Sequence, residues 1–118
     1  MGLRKVNKNM WNHLFFDEGG FTDFEFEYNL STEDYSKITC GFAPDDISSR
    51  YLAYFEDETL FIHSIMGGAC YVEVHVDSNG NSKKISRLRK YDKYNPHHNK
   101  LGTIEFVKSF LKYSIRMK

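Results

Sequence analysis

Histidine and cysteine are the side chains from which a small domain most readily builds a reactive site, and this chain has five and two of them. His63 and Cys70 flank the pair Gly67-Gly68, close enough in sequence to meet across a hairpin. Catalysis by such a pair needs a thiolate in an electropositive, partly exposed setting. The neighbouring positions are Phe61, Ile65, Val72 and Val74, so the expectation is a buried thiol beside a hydrogen-bonded core histidine. His97-His98 offers imidazoles to a metal, but no cysteine or carboxylate stands at ligand spacing, and adjacent residues of an extended loop point apart. Asp77-x-Asn79-x-Asn81 imitates the start of a calcium loop. Ser82 occupies the place of its glycine and Leu88 that of its bidentate glutamate, so a hairpin turn with Asn79-Gly80 at the tip is expected instead. His75, Lys84 and Tyr71 supply the base, cation and acid of a small metal-independent ribonuclease if they share a sheet face, the third of three functional expectations. No glycine-rich phosphate loop, nucleophile elbow or paired-carboxylate spacing is present. No catalytic residue, metal ligand or cofactor is assigned.

Charge carries the stronger pattern. The chain is formally neutral, yet residues 1–60 hold twelve acidic and five basic side chains while residues 61–118 hold four and eleven. The cations concentrate in Lys83, Lys84, Arg87, Arg89, Lys90 and Lys93, interleaved with Tyr91, a composition that can grip phosphates and stack a base. The acids concentrate in Asp17, Glu18, Asp23, Glu25 and Glu27, rimmed by Phe21 and Tyr28 and followed by Glu33 and Asp34. Carboxylates on a rigid strand repel nucleic acid and complement a basic protein, with the aromatics as anchors. The plainer alternative is that the two halves face each other and neutralise across the sheet.

These side chains need elements to hold them. Phe21 to Leu30 alternates with period two: Thr22, Phe24, Phe26, Tyr28 and Leu30 on one face, Phe21, Asp23, Glu25, Glu27 and Asn29 on the other. Residues 11–16 alternate similarly, and Gly19-Gly20 predicts a hairpin joining them to this strand. Ser31-Thr32-Glu33-Asp34 suits a helix cap or a turn, after which Ile38, Cys40 and Phe42 alternate like a strand; Pro44-Asp45-Asp46 reads as a turn. Residues 51–55 and 60–66 are extended, separated by Glu56-Asp57-Glu58. A two-residue loop at Gly67-Gly68 sets His63 opposite Val72, groups Phe61, His63 and Ile65 with Cys70, Val72 and Val74, and sends His75 to the other face. This hairpin is apolar on both faces and belongs centrally, whereas the basic strand ending at Tyr91 alternates poorly and reads as an edge. From Thr103 the period becomes helical: Ile104, Val107, Leu111 and Ile115 make a stripe broadened by Phe106, Phe110 and Tyr113, with Lys108, Lys112 and Arg116 opposite.

The expected fold is a single α+β domain over residues 1–118, an antiparallel sheet of about five to seven strands with a C-terminal α-helix packed on one face. The start Met1 to Phe16 lacks a secretory core, no apolar run could span a membrane, and two cysteines make no disulfide framework, so the cytoplasm is expected. The functional expectation is a protein-binding module, in concrete form an immunity-type inhibitor that neutralises a basic nuclease toxin through the acidic, aromatic-rimmed surface. An RNA- or DNA-binding protein using residues 83–94 is the alternative.

Overall fold

The computed structural model describes residues 6–16, 18–43, 50–79, 82–93 and 99–117. Pro44-Asp45-Asp46, the Asn79-Gly80 tip and His97-His98 therefore fall wholly or partly outside the described residues, as does Asp17.

Strand β1 (Phe21–Leu30) keeps the alternation read from its residues, with Phe24, Phe26, Tyr28 and Leu30 packed into the main core. Its partner is not the segment before it. Residues 11–16 form no strand; Phe15 alone makes a parallel bridge to Ala69, its N–H donating to Gly68 O and its carbonyl accepting from Cys70 N. β1 instead pairs antiparallel with β5 (Lys83–Tyr91), where its carboxylates meet cations that the N-terminal segment could not supply. The basic strand is consequently internal, lying between β1 and β4 (Cys70–Asp77); with β2 at Tyr51–Glu56 and β3 at Thr59–Ser64, the five-stranded antiparallel sheet runs β1-β5-β4-β3-β2. Register shifts against both neighbours, between Glu25 and Tyr28 on one side and His75 and Val76 on the other, explain the broken alternation of β5.

β2 (Tyr51–Glu56) and β3 (Thr59–Ser64) form a tight hairpin whose two turn residues, Asp57 and Glu58, both have positive φ, as a primed turn requires. The β3–β4 connection departs from the two-residue loop. The turn spans residues 65–67, and a register shift makes His63 pair with Cys70 while Ile62 pairs with Val72. A one-residue slip exchanges faces. Leu60 and Ile62 therefore share the core side with Val72 and Val74, while Thr59, Phe61 and His63 share the opposite side with His75, Glu73 and Cys70.

Residues 32–40 are helical rather than extended. In α1 (Thr32–Cys40) the Ser31 hydroxyl caps the first turn by accepting from Asp34 N at 3.0 Å, Glu33 and Asp34 sit at the positive end of the helix dipole, and Ile38 is fully buried. Phe42, past the helix, makes an isolated antiparallel bridge to Ala53 on the outer edge of β2, with two backbone bonds of 2.8 and 2.9 Å. α2 (Lys100–Tyr113) begins three residues before Thr103, where the sequence takes up its helical period, and is capped by Asn99 through Gly102 N at 2.7 Å. Val107, Phe110 and Leu111 bury against the sheet together with Ile115 and Met117 beyond the helix, but Tyr113 is 70% exposed and adds nothing to the stripe.

Both helices thus cover one side of the sheet. On the other, Val6, Trp11 and Leu14 pack over Leu52, Tyr54, Phe61 and Ile65 in a smaller cluster that covers the β2–β3 end. Among the described residues no such cluster covers the β1–β5 end, the open side of the sheet.

Candidate functional site

The open end of the sheet gathers a polar network from three adjacent strands. Asp23 on β1 receives Arg89 from β5 in a two-point contact, Nε to Oδ1 at 2.8 Å and the terminal nitrogen to Oδ2 at 3.1 Å, and Arg87 adds a third bond at 3.3 Å. The Arg89 hydrogen bond, with the fields of Arg89 and Arg87, holds the Asp23 carboxyl below the ordinary carboxylate range. Arg89 also lies over the Phe21 ring, 3.7 Å from its centroid.

Glu73 on β4 is the buried centre. It accepts from the Tyr91 hydroxyl through Oε2 and from His75 Nε2 through Oε1 at 3.0 Å. Burial by itself raises this carboxyl, but the bonds from His75 and Tyr91 and the charge of Arg89 outweigh burial and leave it lowered. Burial and the Glu73 bond push the Tyr91 hydroxyl up. His75 Nδ1 faces Thr59 Oγ1 and an Arg87 nitrogen, each at 3.3 Å. The same Arg87 nitrogen lies 3.5 Å from Nε2.

Aromatics border this network. Phe16 packs within 6 Å of Phe61, His63 and Tyr91, and Phe21 reaches Tyr91 at 6.2 Å. Phe16 is 43% and Phe21 49% exposed, so apolar rings meet solvent on a rigid sheet. Neither a scan against family models nor searches of curated proteins and solved structures finds a match. What the site can do follows from the chain's own chemistry.

The acidic residues are not one continuous surface. Asp23 is held by two arginines and Glu27 by Lys84 at 3.2 Å, whereas Glu18 and Glu25 are exposed and have no partner among the described residues. Tyr28 turns to the helix side, leaving Phe21 as the aromatic beside the carboxylates. Glu33 pairs with Lys37 at 3.4 Å and Asp34 is buried at the start of α1, away from this face. The basic residues are likewise engaged. Lys84, Arg87 and Arg89 meet the acids of β1, Lys90 meets Asp92, and Lys83 lies 4.9 Å over the Tyr35 ring. Lys93 follows β5 in an exposed turn, and Tyr91 is buried rather than available for stacking.

The grouping of His75, Lys84 and Tyr71 does not form. Tyr71 packs on Tyr51 in the main core on the helix side, while His75 and Lys84 stand on the open side with different carboxylate partners. His63 and Cys70 face each other directly and are fully buried. His63 Nδ1 bonds to Gly68 O at 2.9 Å, and its Nε2 is buried without a hydrogen-bond partner among the described residues. Burial depresses the imidazole against the opposing Gly68 bond and pushes the Cys70 thiol well up, which removes its nucleophilic form. No group of three or more potential metal ligands occurs among the described residues.

Glu73 and Phe16 were not singled out from the sequence. A carboxylate between valines in Cys70-Tyr71-Val72-Glu73-Val74 is a legible signal, because an acid on an otherwise apolar strand must find donors. Phe16 carries no comparable signal.

Proposed function

We propose that this protein is a protein-binding module that docks a basic partner on the open β1–β5 end of its sheet, in the manner of an immunity-type inhibitor neutralising a nuclease toxin. The observation that carries it is the exposed pair Phe16 and Phe21, both in ring contact with Tyr91. Aromatic anchors on a preorganised surface are what protein hot spots use. The uncommitted carboxylates Glu18 and Glu25 supply the attraction for a cationic partner, and Asp23, already balanced by Arg87 and Arg89, contributes less. A phosphate backbone would have to displace Asp23, Glu27 and Asp92 from the cations it needs, which favours a protein over a nucleic acid.

The test is affinity purification of the tagged chain from its host with and without nuclease treatment, followed by reconstitution from purified components. The expected result is a basic protein bound in fixed ratio, resistant to nuclease and lost in the double variant Phe21→Ser, Glu25→Lys. Nucleic acid as the sole companion, lost on treatment, overturns the proposal.

A further inference from the structure

The outer edge of β1 carries a second surface, which reaches the helix side of the sheet and shares Glu25 with the open face. Ten residues long, this strand pairs with β5 along one edge only, and no backbone hydrogen bond among the described residues reaches its other edge. Beside that edge lies a groove of about 370 Å³ between β1 and α2, with Tyr28, Leu111 and Met117 as an apolar floor and Lys108 and Lys112 on its rim. The two lysines are one helical turn apart and form no ion pair among the described residues. Like charges at this spacing oppose each other, and an acidic occupant would relieve that.

On the open side Glu25 is an exposed carboxylate with no partner among the described residues, Asp23 being held by Arg87 and Arg89 and Glu27 by Lys84; on the helix side Lys100 lies over the Phe24 ring at 5.6 Å and Lys108 and Lys112 line the groove with Tyr28. A second copy of β1 paired antiparallel about Glu25 would set that carboxylate against its own copy, which opposes self-pairing in that register. A strand of complementary alternation meets attraction on both sides.

We propose that the β1 edge accepts an extended peptide segment as a sixth strand, with a cationic side chain over Glu25 and apolar or acidic side chains in the α2 groove. Main-chain bonds to the free edge would supply affinity and the groove would read alternate side chains. This goes beyond the open-face partner, because the groove lies on the opposite side of the sheet from Phe16.

The probe is an end-blocked twelve-residue peptide with lysine at every odd position and leucine and glutamate alternating at the even ones. A control peptide has the same composition in blocks. The readout is amide hydrogen exchange in the intact protein, with affinity by titration. The alternating peptide is expected to slow exchange of the outward β1 amides at least tenfold and to leave β2 unchanged. Glu25→Lys and Lys108→Glu should each weaken it at least fivefold. Absence of protection on β1, equal binding of the block peptide, or unchanged affinity in both variants overturns the proposal. So does protection of β1 that rises with protein concentration alone, which would identify a second copy as the occupant.

Discussion

Arg89 grips Asp23 with two nitrogens while its guanidinium rests over Phe21, so one β5 side chain ties down two residues of β1 two positions apart. This contact spans the join between the acidic and basic halves of the chain. Asp23→Asn is expected to cost about 1 kcal/mol in urea unfolding, and a cycle with Arg89→Gln should return a coupling of similar size. Because the folded Asp23 pKa lies below its ordinary 3.8, its stabilisation is complete above that value and is lost as pH falls through the lower folded value. The acid limb of the stability profile should flatten there in Asp23→Asn.

Glu73 serves two donors at once, the Tyr91 hydroxyl and the His75 Nε2 proton, in a nearly buried site. Glu73→Gln replaces one accepting oxygen by a donor and should cost about 2 kcal/mol by chemical denaturation. Tyr91→Phe should then cost less in the Glu73→Gln background than in the parent, since its partner is already lost.

His63 is buried neutral, with burial holding its pKa below the ordinary 6.5. The unfolded chain takes up the proton first, so stability is full above 6.5 and declines as pH falls through that value toward the lower folded pKa. His63→Leu should remove this slope between neutral pH and the folded pKa, whatever it does to stability in mild alkali. An unchanged slope would assign it to another histidine.

Gly68 has φ +82°, and a Cβ there would collide with the His13 carbonyl group, whose carbon lies 2.9 Å from the Cβ position. Gly68→Ala should destabilise by about 2 kcal/mol or more in thermal unfolding, with strain and collision acting together. Gly20→Ala has positive φ but open space around it, and should cost less.

What the residues revealed, and what they hid, follows from physical causes. β1 was legible because its two faces differ in kind, phenyl rings against carboxylates, and a period of two then has one solution. α2 was legible for the same reason at a period near four. The β3–β4 register was not, because Gly67-Gly68 permits several loop lengths and the ladder passes over Tyr71, moving every later partner by one. That shift is why His75 joins Glu73 and the arginines on the side of His63. α1 was obscured by Ile38 and Thr39, whose β-branched side chains suit strands, while the Ser31 cap decided the outcome. Residues 11–16 alternate like a strand, yet with a single bridge at Phe15 they serve as an aromatic cover. For the site, the opposite charges of β1 and β5 were visible, but their adjacency depends on the N-terminal strand joining the last strand of the sheet, a long-range pairing no local pattern encodes.

The bridge between Phe42 and Ala53 also bears on assembly. By occupying backbone groups on the outer side of β2, it caps one end of the sheet and leaves β1 as the end with no such bridge among the described residues. Fibre growth by strand addition requires two ends that can both be extended, and here one of them is reached only by displacing the Phe42 bridge.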